Sequence, residues 1–273
     1  MLSEHPPAAA VSPFRFVLLA DVSHGISSRH GGRSPEPYAS LNMGVSSGDR
    51  WENVVANRTT FVGRLGVEPE QVLVGRLSHG AEVSIFRQGR EDAWPAERAS
   101  SVAAGSFDRA FRSDGVVSDV PGLHFLLTFA DCVPLAFYDR RRGVVGGAHA
   151  GWRGTAGGIG PAVIRAMTEA FGTDPADVVV GVGPSIGPCC YTVGPDVIGA
   201  FRANGFDPAV RRENGATYLD LWTTLASQLQ AAGVDSRSVE NPRLCTSCHV
   251  DDYYSHRAEG GRTGRFALCI GRR

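Results

Sequence analysis

The chain has 273 residues, of which 42% are hydrophobic and 20% charged, so it can bury a sizeable core and need not be disordered. The formal net charge of -1 gives no electrostatic footprint for nucleic acid or an anionic membrane. All 27 basic residues are arginines, which excludes a Schiff-base lysine and the phosphate lysine of a P-loop. Any bound phosphate is therefore expected on arginine, histidine or backbone N–H groups.

No apolar run approaches the length of a membrane span. The N-terminus lacks a basic segment followed by an apolar one. A cytoplasmic location is expected, with the six cysteines as reduced thiols, metal ligands or core residues. Residues 1–13 read as a tail and 14–273 as one domain.

In chain order, Phe14–Val22 reads as a buried-type strand. Residues 24–50 form a long glycine-rich polar stretch, of the kind that is usually functional or disordered. A helix follows at 51–65, with Asp49 as its cap and Gly66 as its stop. Strands are expected at 71–77 and 82–86, then a polar, alanine-rich surface excursion over 87–113. Strands follow at 123–129, 133–138 and 143–148, a helix at 155–171 and a strand at 177–182. Helices at 195–203 and 217–232 and a strand at 266–270 complete the chain. The mixture is α+β or α/β, with mixed rather than purely parallel sheets.

Three segments place metal-capable side chains at strand ends among small neighbours: Ser78-His79-Gly80, Ala130-Asp131-Cys132 and Ala148-His149-Ala150-Gly151. Cysteine and histidine suit zinc or copper, and three protein ligands leave a fourth position open, the catalytic pattern. Separations of 53 and 17 residues are equally those of a buried cysteine and two unrelated histidines. A second reading pairs Cys132 with His149 as nucleophile and base of a cysteine hydrolase; it leaves His79 without a role.

Cys245-Thr246-Ser247-Cys248-His249 matches the c-type haem attachment pattern, but that chemistry needs export. It could be half a zinc site, yet no second C-x-x-C exists. A packed loop beside the active site is the plainer reading. Cys189-Cys190 follows a glycine-rich turn that could meet an anion or be only a tight turn. No dinucleotide fingerprint is present.

Taken together, HGISSRHGG, PYASLNMGVSSGD, the Asn57-Arg58 pair, SHG, DGVVS, ADCVPL, GGAHAGWRG, GVGPSIGPCCYTVG, CTSCH, YYSHR and GRTGR resemble the laccase-domain, or YfiH-type "polyphenol oxidase", family. The resemblance runs in order over about residues 14–270. Departures are Leu77-Ser78 before His79, Thr192 after the tyrosine, and the length of the 87–113 excursion.

The resemblance implies a YfiH-like fold and a metal set of His79, Cys132 and His149. The metal is Zn²⁺, with copper as the alternative. It implies a purine nucleoside phosphorylase that also deaminates adenosine and cleaves methylthioadenosine. The partners are then purine nucleosides and phosphate, with no nucleic acid and no membrane. Asp131 is the further catalytic candidate, orienting an active-site group or binding substrate. Arg153 and Arg58 are the phosphate candidates. His24, Arg29 and Asn42 are substrate-binding candidates in the long loop. The older family name suggests instead a copper oxidase of phenols. Multicopper oxidases need paired H-x-H arrangements, and the eight histidines here form none.

Overall fold

The computed structural model describes residues 12–91, 94, 96–98 and 107–273. All but the last two residues of the expected N-terminal tail lie outside that set. Two six-stranded sheets are stacked between helices. In spatial order the first comprises β1 (Ser23–Ile26), β15 (Phe266–Gly271), β7 (His124–Phe129), β2 (Val72–Gly75), β5 (Arg109–Phe111) and β4 (Ala96–Arg98). The second comprises β14 (Val239–Glu240), β10 (Val178–Val182), β8 (Val133–Asp139), β9 (Val144–Ala150), β6 (Gly115–Ser118) and β3 (Val83–Phe86). A small third sheet has the order β11 (Thr192–Val193), β13 (Ala216–Leu219) and β12 (Val210–Glu213). Parallel pairs such as β2 with β7 and β3 with β6 sit among antiparallel ones, so the sheets are mixed as expected.

Strand periodicity builds the layers. Side chains alternate between faces, so both faces of these central strands must be apolar. Phe125, Leu127 and Phe129 of β7 and Leu268 and Ile270 of β15 share an inter-sheet core with Val145 of β9 and Val179 of β10. The alternate residues Leu126, Ala267 and Cys269 face Phe61 and Val62 of helix α1 (Trp51–Gly63). On the far side of the second sheet, Leu135, Phe137, Val178 and Val180 meet four helices. These are α2 (Trp152–Ala156), α3 (Ile159–Phe171), α4 (Pro195–Ala203) and α5 (Leu221–Ala231). No described helix is long and apolar enough to cross a membrane.

Several local expectations are corrected. Val17–Leu19 is one 3-10 turn rather than strand, because the Val17 and Leu18 N–H groups donate to the Glu240 carboxylate and Val17 points outward. Asp49 sits one residue before the N-cap position, Arg50; it accepts from the Arg50 N–H and the Asn53 side chain instead. The expected helix at 155–171 is broken in two where Gly158 takes a φ of 76°, a conformation glycine adopts without strain. The helix expected from 217 starts at Leu221, capped by the Asp220 carboxylate on the Thr223 N–H, and Ala216–Leu219 is strand β13. Residues 109–111, read as surface excursion, form β5, with Ala110 and Phe111 buried. Much of the remaining excursion lies outside the described residues.

Candidate active site

The three ligand candidates converge. The donor atoms of His79, Cys132 and His149 all lie within 4.8 Å of one another, and the two imidazoles meet edge to face with centroids 4.9 Å apart. Topology explains the meeting. Parallel strands β2 and β7 run side by side, so the segments leaving them, with His79 and Cys132, emerge at the same end. β7 belongs to the first sheet and β8 to the second, so the turn at 130–132 spans the two sheets. His149 is the penultimate residue of β9 and pairs with Pro134 of β8, two residues beyond Cys132. Two of the turn positions are left-handed without being glycine, His79 at φ 63° and Asp131 at φ 83°, a strain that persists only where the surroundings enforce it.

Asp114 organises this end of the sandwich. The β6–β9 register pairs Gly115 with Ala148 and so brings Asp114 beside His149. Its carbonyl accepts the His149 N–H at 2.8 Å, and its Oδ1 lies 2.9 Å from His149 Nδ1. The same carboxylate accepts the backbone N–H groups of Ser78, His79 and Gly80 and the Ser78 hydroxyl. A single buried side chain thereby fixes two of the three candidate ligands. With Nδ1 engaged, His149 presents Nε2 as its free donor, the carboxylate–histidine arrangement that orients metal ligands.

Electrostatics follow from this packing. Burial alone would lower the His149 pKa, but the adjoining Cys132 sulfur and the Asp114 hydrogen bond push it up to about 9. Burial also works against ionisation of Asp114; hydrogen bonds from His149, Gly80 and Ser78 outweigh it and hold the carboxyl well below the usual range. Burial, then the neighbouring His149, lower the pKa of His79. One sulfur and two imidazole nitrogens are a soft-to-borderline donor set capable of coordinating a metal ion.

Glycines make the close approach possible. A Cβ on Gly151 would lie 2.9 Å from Cys132 Sγ, and one on Gly154 would lie 2.8 Å from the Gly80 carbonyl oxygen. The glycines of HAGWRG therefore let β9 and α2 press against both the thiol and the SHG turn.

The ligand set opens onto a cavity of about 980 Å³ that is also lined by Arg58, Arg76, Arg153, Arg257 and Arg265. Arg153 is exposed and stacks 4.3 Å over Trp152. Arg58 is buried; its Nε and Nη2 donate to the Met43 carbonyl, and burial lowers its pKa to about 10. Asp131 lines the cavity too, but its carboxylate accepts from the Thr246 hydroxyl and the Arg257 N–H, both at 2.7 Å. Its place is that of a brace between three loops.

His24, Arg29 and Asn42 are not among the residues lining the cavity. His24 lies in β1, where Nε2 accepts the Phe16 N–H. Arg29 donates to the Ala39 and Val250 carbonyls and pairs with Glu259. Asn42 donates to Gly44, Ser47 and Asp49 and accepts from the Arg265 N–H. Arg29 and Asn42 hold the long loop in shape, while His24 ties β1 to the segment before it. Sequence reasoning missed Asp114, Arg76, Arg257, Arg265 and Tyr191 as part of the site. All but Arg76 lie in the segments DGVVS, YYSHR, GRTGR and GVGPSIGPCCYTVG, whose resemblance to the family was the available signal.

The family described as multi-copper polyphenol oxidoreductase laccase matches residues 23–273, and the chain belongs to this laccase-domain, YfiH-type family. It is 38% identical over 253 residues to purine nucleoside phosphorylase YlmD of Geobacillus stearothermophilus, covering 91% of this chain and 89% of the relative. It is 30% identical over 233 residues to adenosine deaminase RL5 of an unknown prokaryotic organism, covering 84% and 85%. The crystal structure of YlmD from Geobacillus stearothermophilus superposes with a TM-score of 0.85 at 37% identity, covering 97% of each chain.

Proposed function

We propose that this protein is a zinc-dependent purine nucleoside phosphorylase. It converts adenosine or inosine and phosphate to the free base and ribose 1-phosphate, and it also deaminates adenosine and cleaves methylthioadenosine. The observation that carries this reading is the meeting of the His79, Cys132 and His149 donors with five arginines in one cavity. Fixed positive charge suits a phosphate dianion, and the donor set beside it offers an electrophilic centre for the nucleoside. The relatives named as a purine nucleoside phosphorylase and an adenosine deaminase support the choice of substrate.

His79, Cys132 and His149 would hold the metal, which when bound supplies a Lewis acid beside the substrate. Asp114 keeps His149 in one tautomer and fixes the SHG turn. Arg153, exposed in the cavity on its Trp152 platform, is the residue best placed to take phosphate. Arg58 contributes positive charge from the wall while anchored to Met43. Asp131 keeps the loops carrying Thr246 and Arg257 against the Cys132 turn.

The test is product chromatography of adenosine incubated with the zinc-loaded protein, with and without phosphate. Adenine and ribose 1-phosphate should form only with phosphate, while inosine forms in either case. Adenine release at the same rate without phosphate would make the enzyme a hydrolase.

A further inference from the structure

Outside the cavity described above, the fold brings together four cysteines that the phosphorylase reading does not use. Cys189 and Cys190 lie in the turn after β10, and Cys245 and Cys248 lie 55 or more residues later. A parallel bridge between Ser185 and Cys245 holds the two segments together, with the Ser185 N–H on the Leu244 carbonyl and the Thr246 N–H on the Ser185 carbonyl. The four Sγ atoms all lie within 4.8 Å of one another. Cys248 Sγ is 3.5 Å from both Cys189 Sγ and Cys190 Sγ.

These separations discriminate between chemistries. A disulfide requires sulfurs about 2.0 Å apart, and all four cysteines are free thiols. Four thiolates around one zinc at about 2.3 Å place their sulfurs about 3.8 Å apart, close to the spacing found here. Cys245 Sγ also accepts the Gly187 N–H at 3.2 Å, the kind of backbone contact that satisfies a metal-bound thiolate. The packed loop that the sequence suggested for C-x-x-C instead faces the adjacent Cys189-Cys190 pair, which no spacing rule would have matched to it.

We propose that Cys189, Cys190, Cys245 and Cys248 bind a second, structural Zn²⁺ ion as a tetrathiolate. Four protein ligands leave no open position, so this ion takes no part in turnover. It cross-links two loops that shape the cavity. The first carries Ile186 and Tyr191, both cavity-lining. The second carries Thr246, which holds Asp131. Arg257 reaches back to the Cys190 carbonyl and to Thr192, so the knot also steadies an arginine of the cavity.

Metal content of the full chain purified from zinc-supplemented cells tests the proposal independently of any activity. Two zinc ions per chain are expected in the wild type. A His79→Ala/Cys132→Ala variant should retain one. Cys248→Ser, at an exposed position that folding should tolerate, should also retain one, and combining all three changes should leave none. With cobalt replacing zinc, the His79→Ala/Cys132→Ala variant should show strong sulfur-to-cobalt charge transfer typical of four thiolates, lost on adding Cys248→Ser. Absence of metal from the folded His79→Ala/Cys132→Ala variant would overturn the proposal. So would a peptide map that places a disulfide among the four cysteines.

Discussion

Asp114 grips His149 twice, through its carbonyl on the main-chain N–H and through its carboxylate on Nδ1 at 2.9 Å. The same carboxylate closes the SHG turn that carries His79. Replacing it with asparagine keeps the shape but removes the charge and half of the acceptor capacity. Asp114→Asn is expected to weaken zinc binding at the His79–Cys132–His149 set by about 10–100-fold. Chelator competition measures this, and an unchanged affinity would show that the grip serves folding alone.

The raised His149 pKa sets a pH dependence with a definite sign. In the metal-free chain the pKa is about 9, against about 6.5 for an unfolded histidine. The protonated ring therefore contributes stability that is complete below about pH 6.5 and is lost as pH rises towards 9. Zinc runs the other way, because a ligating His149 must shed that proton. Melting temperature of the metal-free protein should fall between pH 6.5 and 9, while zinc affinity rises by at least about tenfold per pH unit over the same window, as His149 and the Cys132 thiol give up protons on ligation. Asp114→Asn should flatten the first trend. A pH-independent affinity would mean that neither His149 nor Cys132 is a ligand.

Gly151 offers a steric test of the thiol position. A methyl group there would sit 2.9 Å from Cys132 Sγ, and the sulfur cannot retreat without leaving the two histidines. Gly151→Ala should bind zinc at least about tenfold more weakly while folding normally, since its backbone is in an ordinary extended conformation with φ -72°. Gly63→Ala is the control. Nothing lies within 4 Å of a Cβ at that helical position, so it should raise stability by about 0.5–1 kcal/mol and leave metal binding unchanged. Thermal denaturation and metal titration of both variants decide the matter.

The arginines should separate by role. Arg153→Ala is expected to raise the phosphate KM by about 10–100-fold, the worth of a charged hydrogen bond of about 1.5–3 kcal/mol, with deamination far less affected. Arg58→Met removes a buried cation whose Nε and Nη2 hold the Met43 carbonyl, so its main cost should be about 1–3 kcal/mol of stability. Equal losses of both reactions in Arg153→Ala would remove it from the phosphate site.

Cys132→Ala should abolish phosphorolysis and deamination together, because the proposed function runs both at the same three-residue set. Retention of full phosphorolysis by the folded, metal-depleted variant would place the chemistry elsewhere in the cavity.

By itself the sequence determined the residues whose chemistry shows in a short window. His79, Cys132 and His149 sit in strand-end motifs crowded with small residues, and the long apolar runs β7, β8, β9 and β10 announce themselves through burial on both faces. Helix α4, opened by a proline at its first position, was legible for the same local reason. Tertiary structure alone decided everything that depends on which strand lies next to which. Asp114 reaches His149 because β6 pairs with β9 in one register. The Cys189-Cys190 pair meets Cys245 and Cys248 only through the Ser185–Cys245 bridge. His24 and Arg29, polar residues in a polar loop, resemble substrate ligands until the packing turns them onto Phe16 and Glu259. A side chain's chemistry is written in its own position, but its partner is chosen by contacts between segments far apart in the chain, and these become fixed only when the two sheets close on their shared core.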